Sequence, residues 1–391
     1  MKVAIVVNTL KMGGMERVAV NLSEAYQSSG HETHLIYLRD KKVTLKPDDK
    51  TIPIHLFNLK KMVLSSGVGF FWLFLSKLSN IIFRKSFSIV FAYAEAIAFR
   101  YKLKKLEKKQ GNFDLVIFRG QGTFEHIWPL QDSRFVFVCE NVQQFNRYKS
   151  LSKWAFNNLF SQRNVSCVSD GALDSFRQLC DKYHIVPKKA VMINNPNNLN
   201  LINKKSISKP LHPKPYILGL GRLVPQKNFP LLIKAYLYSR TNLGVTQDLV
   251  IVGEGEERSA LEELVKRLGL KEMVHFKGLQ TNPFPWYEQA DLFVLSSKFE
   301  GLGMVLIEAL ACGTMVVCTE SRGGVKQIMQ GKLERFLTKE SPKELAQTIK
   351  SAIEHPWTKD FDRFVNETLY NFNDENVAKE FLTHFTERDL Q

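Results

Sequence analysis

The chain has 391 residues, of which 44% are hydrophobic and 24% are charged, and its formal net charge is +15. These values are typical of a globular protein and exclude an intrinsically disordered chain. The length exceeds what one ordinary hydrophobic core organises, so we expect two domains.

The cysteines and the amino terminus indicate the compartment. The five cysteines are odd in number and include no Cys-x-x-Cys pair, which favours a reducing environment over a disulfide or zinc framework. The first apolar run, residues 3–7, is too short for the hydrophobic region of a secretory signal. We therefore expect a cytoplasmic protein.

The positive charge lies almost entirely in the first half. Residues 1–200 contain 29 Lys and Arg against 15 Asp and Glu, whereas residues 201–391 contain 25 against 24. Such asymmetry predicts a polyanionic partner for the first half, either nucleic acid or an anionic membrane. No recognised nucleic-acid-binding fold is present, so we expect no nucleic acid and favour the membrane.

Residues 62–109 contain the segment expected to face that membrane. Met62–Ser76 carries no charge and includes Gly69-Phe-Phe-Trp-Leu-Phe-Leu75, and a basic run follows at residues 100–109. No apolar run reaches the roughly 18 to 20 residues that span a bilayer, but aromatic residues punctuated by basic ones suit a membrane interface. The alternative is two ordinary amphipathic helices with a solvated basic face.

The first half opens with the pattern of a doubly wound nucleotide-binding-like fold. A strand at residues 2–7, a turn at Gly13-Gly14, a helix at about 16–29 and a strand at 30–38 follow one another. Further strands are predicted at residues 114–118, 134–139, 164–168 and 190–193. Residues 194–215 then turn irregular and rich in Asn and Pro, which predicts a linker.

The same alternation restarts in the second half. Strands are predicted at residues 216–220, 248–252, 274–276, 291–297 and 314–318, with helices at 230–240, 256–268 and 304–311. Alternating strands and helices predict a parallel α/β sheet. We therefore expect two Rossmann-like domains, residues 1–200 and 212–374, with a ligand cleft between them, and a helix at about 375–391 that packs back on the first domain.

Residues 299–313 are the most informative stretch for function. Glu300, Gly301 and Gly303 follow a predicted buried strand and precede a predicted helix that Gly313 ends. This strand–turn–helix arrangement aims helix N-terminal amides at an anion. Because carboxylates repel phosphate, Glu300 and Glu308 are better suited to hydroxyl groups beside it. A nucleotide-sugar, in which two sugars flank a diphosphate, has this layout.

Two cations follow the first strand of the second half. Arg222 and Lys227 lie in Gly219-Leu-Gly-Arg-Leu-Val-Pro-Gln-Lys227, where they could neutralise a departing diphosphate. The alternative is that they are exposed loop cations. The Gly13-Gly14 turn could meet phosphates as well, although its glycines equally fit a dinucleotide-binding turn whose acidic ribose ligand, about 20 residues on, is ambiguous.

Taken together and in this order, these motifs resemble the retaining GT-B glycosyltransferases of glycosyltransferase family 4. The resemblance rests on Gly-Gly-Met-Glu-Arg at 13–17, Gly-Arg-Leu then Gln-Lys at 221–227, Val-Gly-Glu-Gly at 252–255, and Phe-Glu-Gly-Leu-Gly-Met-Val-Leu-Ile-Glu-Ala at 299–309. It implies that the second domain binds a nucleotide-sugar donor and the first an acceptor. It also implies a retaining transfer that needs no metal or other cofactor.

The resemblance assigns roles to individual residues. Glu300 would hold hydroxyls of the donor sugar, and Arg222 and Lys227 would stabilise the diphosphate, which makes these three the catalytic candidates. The remaining donor-binding candidates are Gly14, Gly303, Met304, Val305 and Glu308, the last through the ribose hydroxyls.

The chain departs from the family pattern at two positions. Many relatives carry His at a strand end of the first domain, where Phe137-Val-Cys-Glu-Asn141 places Glu140. Many also carry Glu where Gln327 stands here. Glu140, and Glu16 in the Gly-Gly-Met-Glu-Arg motif, are candidates for contact with the acceptor or the sugar.

The expected function is transfer of a hexose or N-acetylhexosamine, from a UDP-linked donor, to a lipid-linked glycan such as lipopolysaccharide core. The enzyme would sit peripherally on the inner face of the cell membrane. Two alternatives stay open: a GT-B-fold nucleotide-sugar epimerase, and a non-catalytic membrane or nucleic-acid adaptor.

Overall fold

A computed structural model describes residues 1–11, 13–84, 86–197, 210–356 and 359–386. The chain forms two compact units, which we call unit 1 (Met1–Pro196 with Asp374–Gln391) and unit 2 (Asn197–Asn373). The centre of the predicted linker, residues 198–209, and the end of the predicted C-terminal helix, residues 387–391, lie outside the described residues.

Unit 1 is built on a seven-stranded parallel sheet in the order β3-β2-β1-β4-β5-β6-β7. Its strands are β1 (Lys2–Val7), β2 (Glu32–Tyr37), β3 (Ile54–Leu56), β4 (Leu115–Arg119), β5 (Phe135–Cys139), β6 (Asn164–Cys167) and β7 (Lys189–Met192). In the central strands nearly every residue is buried, because helices cover both faces of a parallel sheet.

The helices of unit 1 connect these strands. They are α1 (Gly14–Ser28), α2 (Leu59–Ser65), α3 (Gly69–Ile82), α4 (Phe87–Gln110), α5 (Gln121–Phe124), α6 (Ser152–Phe160) and α7 (Asp170–Tyr183), with a 3-10 turn at Lys149–Leu151. Local sequence explains a boundary such as the start of α7, where the Ser169 side chain accepts a hydrogen bond from the Ala172 amide.

Helices α2, α3 and α4 fill the segment where the sequence predicted interfacial helices. No single helix among the described residues is both long and apolar enough to cross a bilayer. Helices α2 and α3 together reach the required length and composition, but the chain bends by 112° between them. What distinguishes α3 is its large number of exposed apolar side chains.

Unit 2 contains a six-stranded parallel sheet in the order β10-β9-β8-β11-β13-β15 and a separate short pair, β12 with β14. The strands are β8 (Tyr216–Leu220), β9 (Asp248–Val252), β10 (Val274–Phe276), β11 (Leu292–Leu295), β12 (Phe299–Glu300), β13 (Val316–Thr319), β14 (Arg322–Gly323) and β15 (Leu337–Thr338). Strands β8, β9 and β10 have the bounds that the sequence predicted.

The helices of unit 2 alternate with its strands. They are α8 (Phe229–Leu243), α9 (Arg258–Arg267), α10 (Phe284–Glu288), α11 (Met304–Ala311), α12 (Val325–Ile328), α13 (Pro342–Glu354) and α14 (Lys359–Tyr370), with a 3-10 segment at Gly331–Phe336. Each unit is thus an α/β layer structure of the Rossmann type, which confirms the predicted fold class. In such sheets ligands bind at the carboxyl ends of the strands, so residues of a ligand-binding site are expected at that edge.

The last described helix, α15 (Asp374–Phe385), belongs to unit 1 rather than unit 2. It packs on α1 and buries Val377, Ala378 and Phe381. The Lys189 Nζ, at the start of β7, donates a hydrogen bond to the His384 carbonyl at 2.6 Å. The chain therefore leaves unit 1 after β7 and returns to it at the end.

Candidate active site

Glu300 and Lys227 form an ion pair at the carboxyl edge of the unit 2 sheet. The Lys227 Nζ lies 2.6 Å from the Glu300 Oε1, and Glu300 is only 7% exposed. The Ser297 hydroxyl donates a second hydrogen bond to the same oxygen at 2.5 Å. Two of the three predicted catalytic residues, 73 positions apart in the chain, are therefore in direct contact.

Hydrogen bonds to backbone carbonyls hold the two segments of this pair together. The Gln226 side chain donates to the Phe299 carbonyl at 2.9 Å, and the Lys298 amide donates to the Gln226 carbonyl at 2.9 Å. The Ser296 hydroxyl also donates to the Lys227 carbonyl at 3.0 Å. Because its loop is bonded on both sides of the lysine, Lys227 is held in a fixed position beside Glu300.

The turn after Glu300 leads directly into helix α11. Gly303 precedes the helix in the left-handed region, with φ of 99°, which favours glycine because a Cβ would be strained there. Met304 and Val305 form the first turn, whose amides have no partner inside the helix. The helix spans Met304–Ala311, as predicted, so these two amides, four and five residues beyond Glu300, are candidates to bind an anion.

Glu308 lies farther along the same helix and is half-buried. Its Oε2 accepts a hydrogen bond from the Tyr287 hydroxyl, 3.1 Å away. Tyr287, itself fully buried at the end of α10, was not among the predicted site residues. It limits the directions in which the Glu308 carboxylate can point.

Arg222 is placed differently from Lys227. It follows β8 at the same sheet edge, but its side chain is exposed, and within the described ranges its guanidinium forms no ion pair. The structure therefore brings Lys227 and Glu300 together and leaves Arg222 as an exposed cation on the neighbouring turn. The alternative of a loop cation stays open for Arg222 alone.

Gly323 fixes the backbone position of Glu300. The short strands β12 and β14 pair these two residues, and a Cβ on Gly323 would lie 1.7 Å from the Glu300 carbonyl oxygen. Gly323 also has φ of +109°, a conformation that side chains rarely adopt. Only glycine lets the two backbones approach this closely.

We therefore expect Gly323→Ala to lower the free energy of unfolding by at least about 2 kcal/mol, because backbone strain of this kind costs on the order of 1–3 kcal/mol before the overlap is added. Chemical denaturation measures the change. Gly244→Ala is the matched control: Gly244 also has positive φ, +66°, but its added Cβ would meet open space. Equal losses in the two variants would contradict the close approach.

The candidate residues of unit 1 lie at the carboxyl edge of its own sheet. Gly13 precedes and Gly14 begins α1, the first helix after β1, and Glu16 in the first turn accepts a hydrogen bond from the Thr9 hydroxyl at 3.0 Å. A Cβ on Gly14 would meet nothing within 4 Å, so its backbone is open to approach. The turn therefore presents helix amides beside a carboxylate that is already hydrogen-bonded.

Glu140 belongs to a buried polar cluster at the end of β5. Its Oε1 lies 2.6 Å from Nη2 of Arg119, and its Oε2 accepts from the Asn195 side chain at 3.3 Å. Arg119 is fully buried and also donates to the Asn195 Oδ1 at 2.5 Å. Burial raises the pKa of Glu140, and the charge of Arg119 opposes that shift.

Sequence reasoning missed Arg119 and Asn195, as well as Ser297 and Tyr287. A signal existed for Arg119: it ends the buried run Leu-Val-Ile-Phe-Arg and precedes a glycine, so it stands at the carboxyl end of a parallel strand. No comparable pattern marks Asn195 within its irregular, Asn-rich stretch.

The chain thus contains two Rossmann-like units, as GT-B proteins do, and unit 2 carries a Lys–Glu pair and a helix N-terminus at the carboxyl edge of its sheet. Two family models match consecutive parts of the chain: Glycosyltransferase Family 4 over residues 12–200 and Glycosyl transferases group 1 over residues 202–368. Over these two parts the chain is thus group 1 and family 4-like in sequence.

Individual relatives and one solved structure agree with this class. An N-acetylgalactosamine-N,N'-diacetylbacillosaminyl-diphospho-undecaprenol 4-alpha-N-acetylgalactosaminyltransferase of Campylobacter jejuni is 33% identical over 47% of this chain and 49% of its own length. The lipopolysaccharide core biosynthesis glycosyltransferase LpsE of Rhizobium meliloti is 40% identical over 28% of this chain and 31% of its own length. The alignments thus span about half or less of these relatives.

Anabaena HepE, crystallised with UDP, is similar in fold. It superposes with a TM-score of 0.70 at 18% identity, covering 98% of this chain and 99% of that one. At this identity the likeness shows the fold, and it supports the GT-B architecture over almost the whole chain.

Proposed function

We propose that this protein is a retaining glycosyltransferase that moves a hexose or N-acetylhexosamine from a UDP-linked donor to a lipid-linked glycan such as lipopolysaccharide core. The observation that carries the proposal is the contact of Lys227 with the buried Glu300, four residues before Met304, where α11 begins. A cation, a carboxylate and a helix N-terminus in that order match a diphosphate bonded to a sugar.

In this mechanism the protein mainly positions the sugar and stabilises the leaving group. The acceptor hydroxyl attacks the anomeric carbon on the face from which the nucleoside diphosphate departs, and a diphosphate oxygen takes the hydroxyl proton. Lys227, helped by Arg222 and the Gly303–Val305 amides, neutralises charge on the departing diphosphate. Glu300 holds donor-sugar hydroxyls and Glu308 the ribose hydroxyls, so the anomeric carbon stays aligned.

The donor and acceptor classes rest on what the relatives bind or build. HepE was crystallised with UDP, and the Campylobacter relative is named for a diphospho-undecaprenol-linked glycan. The Rhizobium relative is named for lipopolysaccharide core biosynthesis. We infer that the acceptor of this protein is likewise attached to a lipid, and that Glu16 and Glu140 of unit 1 are candidates to contact it. As in the sequence-based expectation, we assign no metal to the transfer itself.

A lipid-linked acceptor calls for a surface that meets the membrane, and α3 offers one. Its exposed apolar side chains are Phe70, Phe71, Phe74, Leu78, Ile81 and Ile82, whose spacing places them on one side of the helix. Phe70 is 73% exposed and Ile81 is 80% exposed. Contact of these apolar side chains with water is unfavourable unless an apolar phase covers them. With the basic charge of residues 1–200, this face supports peripheral attachment to an anionic membrane on its cytoplasmic side.

We expect the double variant Phe70→Ser, Phe74→Ser to bind anionic vesicles at least about tenfold more weakly, because burying one such side chain contributes roughly 1.5–3 kcal/mol. Vesicle co-sedimentation measures the change. Leu279→Ser, which replaces an exposed apolar residue of unit 2, is the control. Unchanged binding of the double variant would exclude α3 as the membrane-contacting face.

The function itself is tested by screening UDP- and GDP-sugars for donor-dependent release of nucleoside diphosphate. A retaining glycosyltransferase releases the diphosphate slowly with water and faster with acceptor, and its product keeps the anomeric configuration of the donor. Return of an isomerised donor would establish the epimerase alternative instead. No release with any donor would leave the adaptor alternative and refute the proposal.

A further inference from the structure

A second polar cluster lies at the opposite, amino-terminal edge of the unit 2 sheet. It consists of His212, Asp248 and His275: His212 lies shortly before β8, Asp248 is the first residue of β9, and His275 lies in β10. His212 and Asp248 are buried, and the His275 side chain is 28% exposed. The proposed transfer mechanism uses Glu300 and Lys227 at the carboxyl edge of this sheet, and it does not use this cluster.

The three side chains converge on a single point. The Nε2 of His212 and the Nε2 of His275 each lie 3.1 Å from the same Asp248 oxygen, Oδ2. One ligand atom from each residue lies within 4.8 Å of the others. Tetrahedral zinc, with bonds of about 2.0–2.1 Å, separates its ligands by roughly 3.3 Å, so only small side-chain shifts would admit an ion.

The chemistry of the three donors also suits a divalent transition metal. Imidazole nitrogens with one carboxylate are a frequent ligand set for zinc and iron(II), and three protein ligands leave further positions for water. We propose that His212, Asp248 and His275 bind one divalent transition-metal ion, for which zinc is the probe. The ion would tie the segment before β8 to the starts of β9 and β10.

A bound metal ion would compete with two sets of contacts to the Asp248 carboxylate. Without metal, each histidine can donate its Nε2 hydrogen to Asp248, and these hydrogen bonds already stabilise the carboxylate. Lys214 is the other charged group at this point: its Nζ lies 3.7 Å from Oδ2, but its side chain is 63% exposed and can move into solvent. Metal binding would move the ring protons to Nδ1 and displace Lys214, so the histidines must be neutral for the ion to bind.

The experiment titrates Zn²⁺ into chelator-treated, full-length protein by calorimetry, and repeats the titration with His275→Gln. His275 is the ligand nearest solvent, so its replacement leaves the buried part of the cluster intact. His355→Gln, at an exposed helix end, is the matched control. We expect one Zn²⁺ per chain, and binding that His275→Gln weakens on the order of 10- to 100-fold or more.

Co²⁺ gives a second readout, since ligation by two imidazoles and a carboxylate produces a visible absorption band that should be lost in His275→Gln. Thermal unfolding of the metal-free variants shows whether they fold. Failure of the native protein to bind Zn²⁺ stoichiometrically, or equal binding by His275→Gln and the native protein, would overturn the proposal. Neither measurement uses sugar transfer, so the result is independent of the proposed function.

Discussion

Lys227→Ala is expected to lower kcat by on the order of 10²- to 10³-fold, the cost of removing one preorganised group that stabilises developing charge in a transition state. The lysine is held 2.6 Å from Glu300 by a loop bonded on both sides, so its charge is in place before the diphosphate begins to leave. Initial rates at saturating donor measure the change, since the effect falls on turnover rather than on donor affinity.

Two further variants show whether the loss of turnover in Lys227→Ala comes from this lysine itself, rather than from a general loss of positive charge or from misfolding. Lys298→Ala removes an exposed lysine from the adjacent segment and should leave turnover within about twofold, as expected for a surface substitution. Glu300→Gln combined with Lys227→Ala should be non-additive, because the two residues act as a unit. Native turnover of a folded Lys227→Ala protein would remove the lysine from the mechanism.

Glu140→Ala is expected to lower the free energy of unfolding by about 3–5 kcal/mol, the cost of leaving one member of a buried ion pair without its partner. Arg119 is fully buried, and among the described residues its Nε and Nη1 have no hydrogen-bonding partner, so Glu140 and Asn195 are what compensates its charge. Denaturant unfolding of the purified protein gives the value.

An exposed ion pair provides the comparison. Glu262 lies 2.6 Å from the Arg258 Nε on the surface of α9, and Glu262→Ala should cost no more than about 0.5 kcal/mol. If Glu140→Ala proves equally mild, Arg119 must have another source of compensation. Glu140→Gln, which keeps a hydrogen-bond acceptor but not the charge, should fall between the two.

The parallel strands could be predicted because burial on both faces leaves a nearly continuous apolar run. Strands such as Tyr216–Leu220 and Asp248–Val252 show this pattern, and each lies between turn residues that bound it. Helix α11 was equally clear, since good helix formers fill it and a glycine follows its end. Strands β12 and β14 were not predictable, because two residues are too short to show any periodicity.

Some residues of the candidate site could be selected from the sequence, but their contacts could not. Motif order selected Lys227 and Glu300, whereas their pairing depends on how two distant loops meet, which no local pattern records. Arg119 was missed because arginine is usually exposed, so its place at the end of an apolar run was not taken as a sign of burial. The sequence also did not show which face of α3 is exposed. Trp72 is half-buried and stacks on Tyr93 with ring centroids 6.1 Å apart, while the neighbouring phenylalanines are exposed.

The return of the chain to unit 1 through α15 has a consequence for biosynthesis. Domains generally fold as they emerge from the ribosome, beginning with the one made first. Here α15, which packs on α1 and buries its own Val377, Ala378 and Phe381, is translated after every residue of unit 2. Unit 1 is therefore begun before unit 2 and completed after it, and a ribosome that stalls at residue 373 leaves unit 1 with an uncovered apolar face for chaperones to shield.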